Sequence, residues 1–210
     1  MGVVTVSRQY GAGGLRVARA LAEALGFRLV DREIVEDAAK HLGLDPEVVR
    51  SRDERAPDLI ETIGMALAGA PSIGGGPPPP MPDPALDDAT LAAATRIVIS
   101  TLADAGSYVI LGRGGQAALR DRADACHISL IGELSDRVNR VAGWQHVDDR
   151  EALARCNRFD SERAAYVRRF YGLNIREPAL YDCVLNTSRL SLEDATTVAI
   201  TAAERKLRAA

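Results

Sequence analysis

Val3-Val4-Thr5-Val6-Ser7-Arg8-Gln9-Tyr10-Gly11-Ala12-Gly13-Gly14 decides the fold class. Residues 3–6 are a β-branched run that reads as a strand and stops at Ser7-Arg8-Gln9-Tyr10. A glycine cluster follows. Leu15, Ala18, Leu21, Ala22 and Leu25 then recur at helical spacing until Gly26 supplies a stop. Residues 27–30 restart as a strand and end at Asp31. Strand, glycine loop, helix and strand in that order open a parallel α/β sheet. Backbone N–H groups of such a loop, joined to a helix N-terminus, form a site for anionic phosphate.

Two phosphate motifs compete for the loop. A dinucleotide fingerprint would use Gly11 and Gly13, with Asp31 at a suitable distance for a ribose contact, but its third glycine falls at Arg16. Four residues also separate the strand, read as 3–6, from Gly11. A P-loop fits the longer connection in degenerate form, running from Arg8 to Leu15. The first glycine becomes Arg8, the phosphate-reaching lysine becomes Gly14 and the metal-holding hydroxyl position becomes Leu15, with Arg16 one residue later.

Further along, residues 31–42 read as helix, with shorter helical stretches around 46–50 and 58–67. Residues 74–84, Gly-Gly-Gly followed by a proline-rich run, read as a flexible loop or tether, with proline-binding partners a minor alternative. Leu91, Thr95, Val98 and Leu102 mark a helix ending near Gly106, and residues 108–111 a strand closed by Gly112-Arg113-Gly114-Gly115. A short helix, a strand over 125–131, and arginine-rich helices over 135–141 and 148–171 come next. Residues 183–185 form a last strand, and Ser191 with Asp194 opens the final helix as a capping box.

With 210 residues, 47% hydrophobic and 26% charged, the chain suits one domain with a mobile subdomain. Aromatics are only 4%, so Leu, Val, Ile and Ala must build the core. A formal net charge of −3 argues against a basic surface for duplex nucleic acid. Cys126, Cys156 and Cys183 form no CxxC pair and His41, His127 and His146 no partner pattern, so neither disulfide scaffold nor zinc site is expected. No leader pattern and no bilayer-length apolar run is seen, and a soluble cytoplasmic protein is expected.

The segment Ser7-Arg8-Gln9-Tyr10-Gly11-Ala12-Gly13-Gly14 resembles the glycine loop of the cytidylate kinase-like family, which shares the serine-arginine opening and the missing lysine. The resemblance continues through Leu29-Val30-Asp31, Gly112-Arg113, Asp136-Arg137-Val138-x-Arg140, Asp160-x-x-Arg163-x-x-Tyr166 and Tyr181-Asp182 to Asn186-Thr187-Ser188. Residues 52–89 are not covered. The resemblance implies a three-layer P-loop NTPase-type α/β fold, with about five parallel strands and helices on both faces. It also implies an acceptor-binding region at about 43–90 and a helical lid at about 143–172. The activity implied is transfer of the γ-phosphoryl group from ATP-Mg to a nucleoside monophosphate, CMP or dCMP first. Rivals are a non-catalytic nucleotide-binding protein on the same fold and a kinase of another small acceptor.

Phosphoryl transfer needs two anionic substrates aligned and their charge stabilised, work suited to fixed guanidinium groups. Arg8 and Arg113 stand out because both lie at expected carboxyl ends of parallel strands. Arg8 is the candidate substitute for the absent lysine. By resemblance, Arg113 contacts the acceptor monophosphate, Asp160 and Arg163 lie near the acceptor, and Arg137 lies near the donor phosphates or in the lid. Ser7, Arg8, Gly11, Ala12, Gly13, Gly14, Leu15 and Arg16 form the donor loop. Asp31 either serves the acceptor site, through magnesium-bound water or a substrate hydroxyl, or caps the next helix. Tyr166, Phe170 and Tyr171 pack the lid or stack on a base. Trp144 and the cysteines read as structural.

Overall fold

The computed structural model describes residues 2–31 and 88–209. The predicted helices over 31–42, 46–50 and 58–67 and the Gly/Pro stretch 74–84 fall on or within positions 32–87, outside the described residues, as does most of the 43–90 region.

Five strands form one parallel sheet: β1 (Val3–Arg8), β2 (Arg28–Val30), β3 (Tyr108–Leu111), β4 (Ala125–Ile131) and β5 (Cys183–Asn186). Their order is β2-β3-β1-β4-β5, every pairing parallel. The chain leaves β1 toward one edge through β2 and β3, then crosses to β4 and β5. Strand order thus reverses around β1, and the crevice at its carboxyl end is where open α/β sheets bind ligands.

The helices are α1 (Gly14–Leu25), α2 (Asp88–Ala105), α3 (Gly115–Ala118), α4 (Leu134–Gln145), α5 (Asp149–Tyr171) and α6 (Leu192–Ala209), with a 3₁₀ turn at Pro178–Leu180. Alternate strand residues point to opposite faces. Val4, Val6, Leu111, Ile128 and Leu130 pack with Val17 and Leu21 of α1 and Ala195, Ala199 and Ala203 of α6. Val3, Val30 and Ile110 pack on the other side with Val98, Ile99 and Leu102 of α2. Both faces are covered, so these strands read as nearly unbroken β-branched runs. Burying a side chain such as Leu21 stabilises the fold by about 2–3 kcal/mol. None of the described helices is long and apolar enough to cross a membrane.

Local signals account for the helix ends. Gly26, at φ 65°, closes α1 by donating to the carbonyls of Ala22 and Glu23. Asp148 caps α5 by accepting from the Glu151 N–H, and Gly172 at φ 68° ends it. Ser191 Oγ accepts from the Asp194 N–H at 3.0 Å, which is half of the expected box; the Asp194 carboxylate accepts from the Ser191 hydroxyl at 2.7 Å instead of from its backbone N–H.

Two elements differ from the sequence reading by more than one residue at an end. β1 continues past Val6 through Ser7 and Arg8, which pair with Ser129 and Leu130, so only Gln9 and Tyr10 precede Gly11. Ser7 is polar yet buried because it lies against Tyr181, whose hydroxyl is 3.3 Å from its own. The helix read over 135–141 extends to Gln145 and packs on α5 through Val138, Val141, Ala152 and Cys156.

Candidate active site

The carboxyl ends of β1 and β4 lie nearly level, Arg8 pairing with Leu130, while β3 stops two residues earlier, at Leu111 opposite Val6. Beyond them the glycine loop turns back into α1. Gln9 N–H donates to Leu130 O at 2.9 Å, and Ala12 N–H to Gln9 O at 3.2 Å. The Gln9 side-chain oxygen accepts from Gly132 N–H at 2.9 Å, tying the loop to the end of β4. Gly11 and Gly13 have φ of 81° and 82°, a region that side chains rarely enter. A methyl on Gly11 would lie 2.7 Å from Arg137 O, and one on Gly13 would overlap Leu192. Gly13 caps α1 without any side-chain acceptor, so the first-turn amides of a twelve-residue helix keep their capacity to bind an anion.

Arg8 occupies a channel made by two other glycines. Its aliphatic stem crosses Gly14, where a β-carbon would come within 2.6 Å of Arg8 Cγ, and its guanidinium sits over Gly112 at the end of β3. Here the position of the missing lysine has a physical account: a side chain at residue 14 would displace Arg8. Arg113 follows Gly112 at φ 54°, a strained geometry for a non-glycine residue of the kind concentrated at functional sites. One of its nitrogens donates to Thr95 Oγ1 of α2 at 3.3 Å, and its guanidinium carbon lies 4.6 Å from the centre of the Tyr166 ring. Arg163 donates to Arg8 O at 3.2 Å.

Two clefts meet here. One, of about 250 Å³, is lined by Arg8, Arg113, Arg163, Glu162, Tyr10 and Tyr166 among others. Its neighbour, of about 340 Å³, continues over the ends of β4 and β5, between Asp160 and Arg163 of α5 and the 175–181 segment. Ser7, Arg8, Arg163 and Ile175 line both. Together they reach the size of a small-molecule site, and three guanidinium groups against Glu162 give the first an anion's environment.

Arg137 and Asp160 are tied to the loop itself. Arg137 is 5% exposed. It donates to Gly132 O at 2.9 Å, Tyr10 O at 2.9 Å and Asp160 Oδ2 at 2.7 Å. Asp160 Oδ1 accepts from Tyr10 N–H at 2.7 Å, and Arg163 lies 3.7 Å from the same oxygen. These two residues bind the loop's own backbone. Arg140 likewise reaches Gly11 O at 3.3 Å and Thr187.

The remaining sequence candidates are less central. Leu15 and Arg16 are exposed, Arg16 pairing with Glu193 of α6. Asp31 stands at the end of β2 and lines neither cleft. Trp144, read as structural, is 67% exposed and reaches toward Tyr10, ring centroids 6.5 Å apart. Tyr166, Phe170 and Tyr171 pack together as expected, with Arg96 lying over Tyr171 at 5.3 Å, and burial pushes the Tyr171 hydroxyl well above its usual range. Among the described residues no group of three His, Cys, Asp or Glu side chains converges to hold a metal. Thr95, Tyr10 and Gln9 were not singled out by sequence; Tyr10 stood inside the glycine motif, but nothing local marked its partners.

The comparisons agree with this geometry. A family model, described as the cytidylate kinase-like family, matches residues 3–189. A cytidylate kinase from Pyrobaculum aerophilum is 28% identical over 206 residues, covering 95% of this chain and 91% of its own. One from Methanothrix thermoacetophila is 25% identical over 201 residues, covering 95% and 96%. A crystal structure of an uncharacterized protein from Eubacterium ventriosum superposes with a TM-score of 0.68 at 18% identity, covering 97% of this chain and 99% of that one, which speaks to the fold alone. With a phosphate-type glycine loop at the centre of a β2-β3-β1-β4-β5 sheet and the family match running through both clefts, the chain belongs to the cytidylate kinase-like family.

Proposed function

We propose that this protein transfers the γ-phosphoryl group of ATP-Mg to a nucleoside monophosphate, with CMP or dCMP the first acceptor to try. The observation that carries the reading is the convergence of Arg8, Arg113 and Arg163 on one cleft beside an α1 N-terminus with no side-chain cap. In this reading a phosphate oxygen of the monophosphate attacks the γ-phosphorus, the bond to the β–γ bridging oxygen breaks, and ADP and a nucleoside diphosphate result.

Gly11 to Leu15 hold the donor phosphates by backbone amides, and Arg8 supplies the charge that a loop lysine would bring. Arg113, oriented by Thr95 and Tyr166, holds the acceptor phosphate, and Arg163 lies between the two. Asp31 serves the acceptor from the end of β2. Residues 43–90 complete the acceptor site and 143–172 act as the lid. A location in the cytoplasm goes with such substrates.

Magnesium enters as part of the donor. Leu15 brings no oxygen to the metal-holding position of the loop, and the Asp160 carboxylate is occupied by Arg137 and Tyr10. Among the described residues these positions do not form a resident magnesium site, and the phosphates carry the ion.

Gly14 and Leu15 favour a second reading, a nucleotide-binding protein without turnover. Incubation with ATP-Mg and a panel of nucleoside monophosphates separates the two. Acceptor-dependent ADP and diphosphate formation, lost in Arg8→Ala and Arg113→Ala, supports the kinase. ATP or CMP binding without product from any acceptor selects the binding protein, and product with a different acceptor alone selects a kinase of other specificity.

A further inference from the structure

Tyr10 leaves the glycine loop with both its main chain and its side chain. Its N–H donates to Asp160 and its carbonyl accepts from Arg137, at 2.7 and 2.9 Å. Its ring stacks on Phe159, centroids 4.5 Å apart and planes 26° apart. Arg163 lies over the same ring at 5.6 Å. The hydroxyl accepts from Gln145 Nε2 at 2.9 Å, and Gln145 Oε1 in turn accepts from Arg155 at 2.5 Å. Arg137 and Gln145 belong to α4; Arg155, Phe159, Asp160 and Arg163 belong to α5. The next residue, Gly11, makes its left-handed turn directly against Arg137 O.

The α4–α5 hairpin therefore grips the loop at the residue just before its glycines. Glycine-rich backbone has many accessible conformations, and a phosphate cradle works only when its amides are fixed. The sheet fixes one end of this loop through Gln9, and α1 fixes the other. Between them the hairpin holds the loop at Tyr10, through both main chain and ring, and at Gly11 O through Arg140. We propose that Tyr10 is a positioning residue, a latch through which the α4–α5 hairpin sets the geometry of the phosphate-binding loop. The proposal rests on the nucleotide-kinase reading. Arg163 lines the cleft and also touches Tyr10 and Arg8, so the latch adjoins the place where the substrates meet.

The test uses the full chain and two variants, Tyr10→Ala and Tyr10→Phe. Hydrogen–deuterium exchange of residues 11–15 is followed without nucleotide, and ATP-Mg affinity is measured by calorimetry. Trp144, the only tryptophan, gives a fluorescence signal beside Tyr10. The expected result is faster exchange at 11–15 and about tenfold weaker ATP-Mg binding in Tyr10→Ala, equivalent to about 1.4 kcal/mol. Tyr10→Phe, which keeps the stacked ring, returns both values close to those of the natural protein. Unchanged exchange in the loop, unchanged ATP-Mg affinity, or no rescue by phenylalanine overturns the latch. If Tyr10→Ala does not fold, Phe159→Ala removes the stacking partner from outside the loop and is read in the same way. A natural protein that binds no ATP-Mg sinks the kinase reading, and the exchange comparison then decides the latch alone.

Discussion

Replacing Asp160 by alanine tests whether this carboxylate holds the protein together or serves only a bound ligand. Its side chain is 17% exposed and that of its partner Arg137 6%, so the pair is largely withdrawn from water. Removing one member of a buried ion pair costs about 3–5 kcal/mol, because the remaining charge loses its counter-ion. Arg137 would keep two carbonyl acceptors, Gly132 O and Tyr10 O, which places the loss at the low end. The Tyr10 N–H would also lose its acceptor, adding about 1 kcal/mol if water does not replace it. A total of about 4 kcal/mol is expected. Urea unfolding without nucleotide reads it directly: with a slope of about 2 kcal/mol per molar, the midpoint falls by about 2 M. The double variant Asp160→Leu with Arg137→Met should recover most of that loss, since apolar replacement of both partners removes the stranded charge. A midpoint change in Asp160→Ala below about 0.25 M, or about 0.5 kcal/mol, would refute the argument and return Asp160 to a ligand-only role.

Gly112→Ala combines a φ of 85° with a methyl that overlaps the Arg8 guanidinium; a loss of about 1–2 kcal/mol in stability is expected, together with weaker ATP-Mg binding by calorimetry. Ser191→Ala removes the cap of α6 and should cost about 1 kcal/mol in thermal or urea unfolding, leaving nucleotide binding intact. Burial holds the His127 imidazole below its ordinary value, with Asp182 opposing that shift. The unfolded chain therefore takes up the proton first, and stability is lost as pH falls below about 6.5. His127→Leu should flatten the fall of the urea midpoint as pH drops below about 6.5, above the range in which the Asp182 carboxylate titrates.

The central sheet could be read from the chain because its determinants are local: β-branched runs, glycine at reversals, and capping residues such as Ser191 and Gly26. The polar ends of strands were harder. Ser7 and Arg8 break the apolar pattern, and their place in β1 depends on Tyr181 and Leu130, far away in sequence. The same limit applies to the site. Arg8 and Arg113 follow from strand ends, which a sequence reveals. That Arg137 and Asp160 face the loop's backbone, and that Trp144 stands in solvent beside Tyr10, follows from how α4 and α5 dock. A motif spacing carries no such information. Thr95 was legible only as one more position on a helix face; its hydroxyl matters because α2 crosses behind Arg113.

The glycine channel around Arg8 has an entropic consequence. A free arginine side chain carries roughly 2 kcal/mol of rotamer entropy, which an anion must ordinarily quench when it binds. Here the stem is confined over Gly14 and the head over Gly112 before any ligand arrives. That disorder is lost once, in folding, so a phosphate meets a cation already aimed, and widening the channel would loosen binding without removing a single charge.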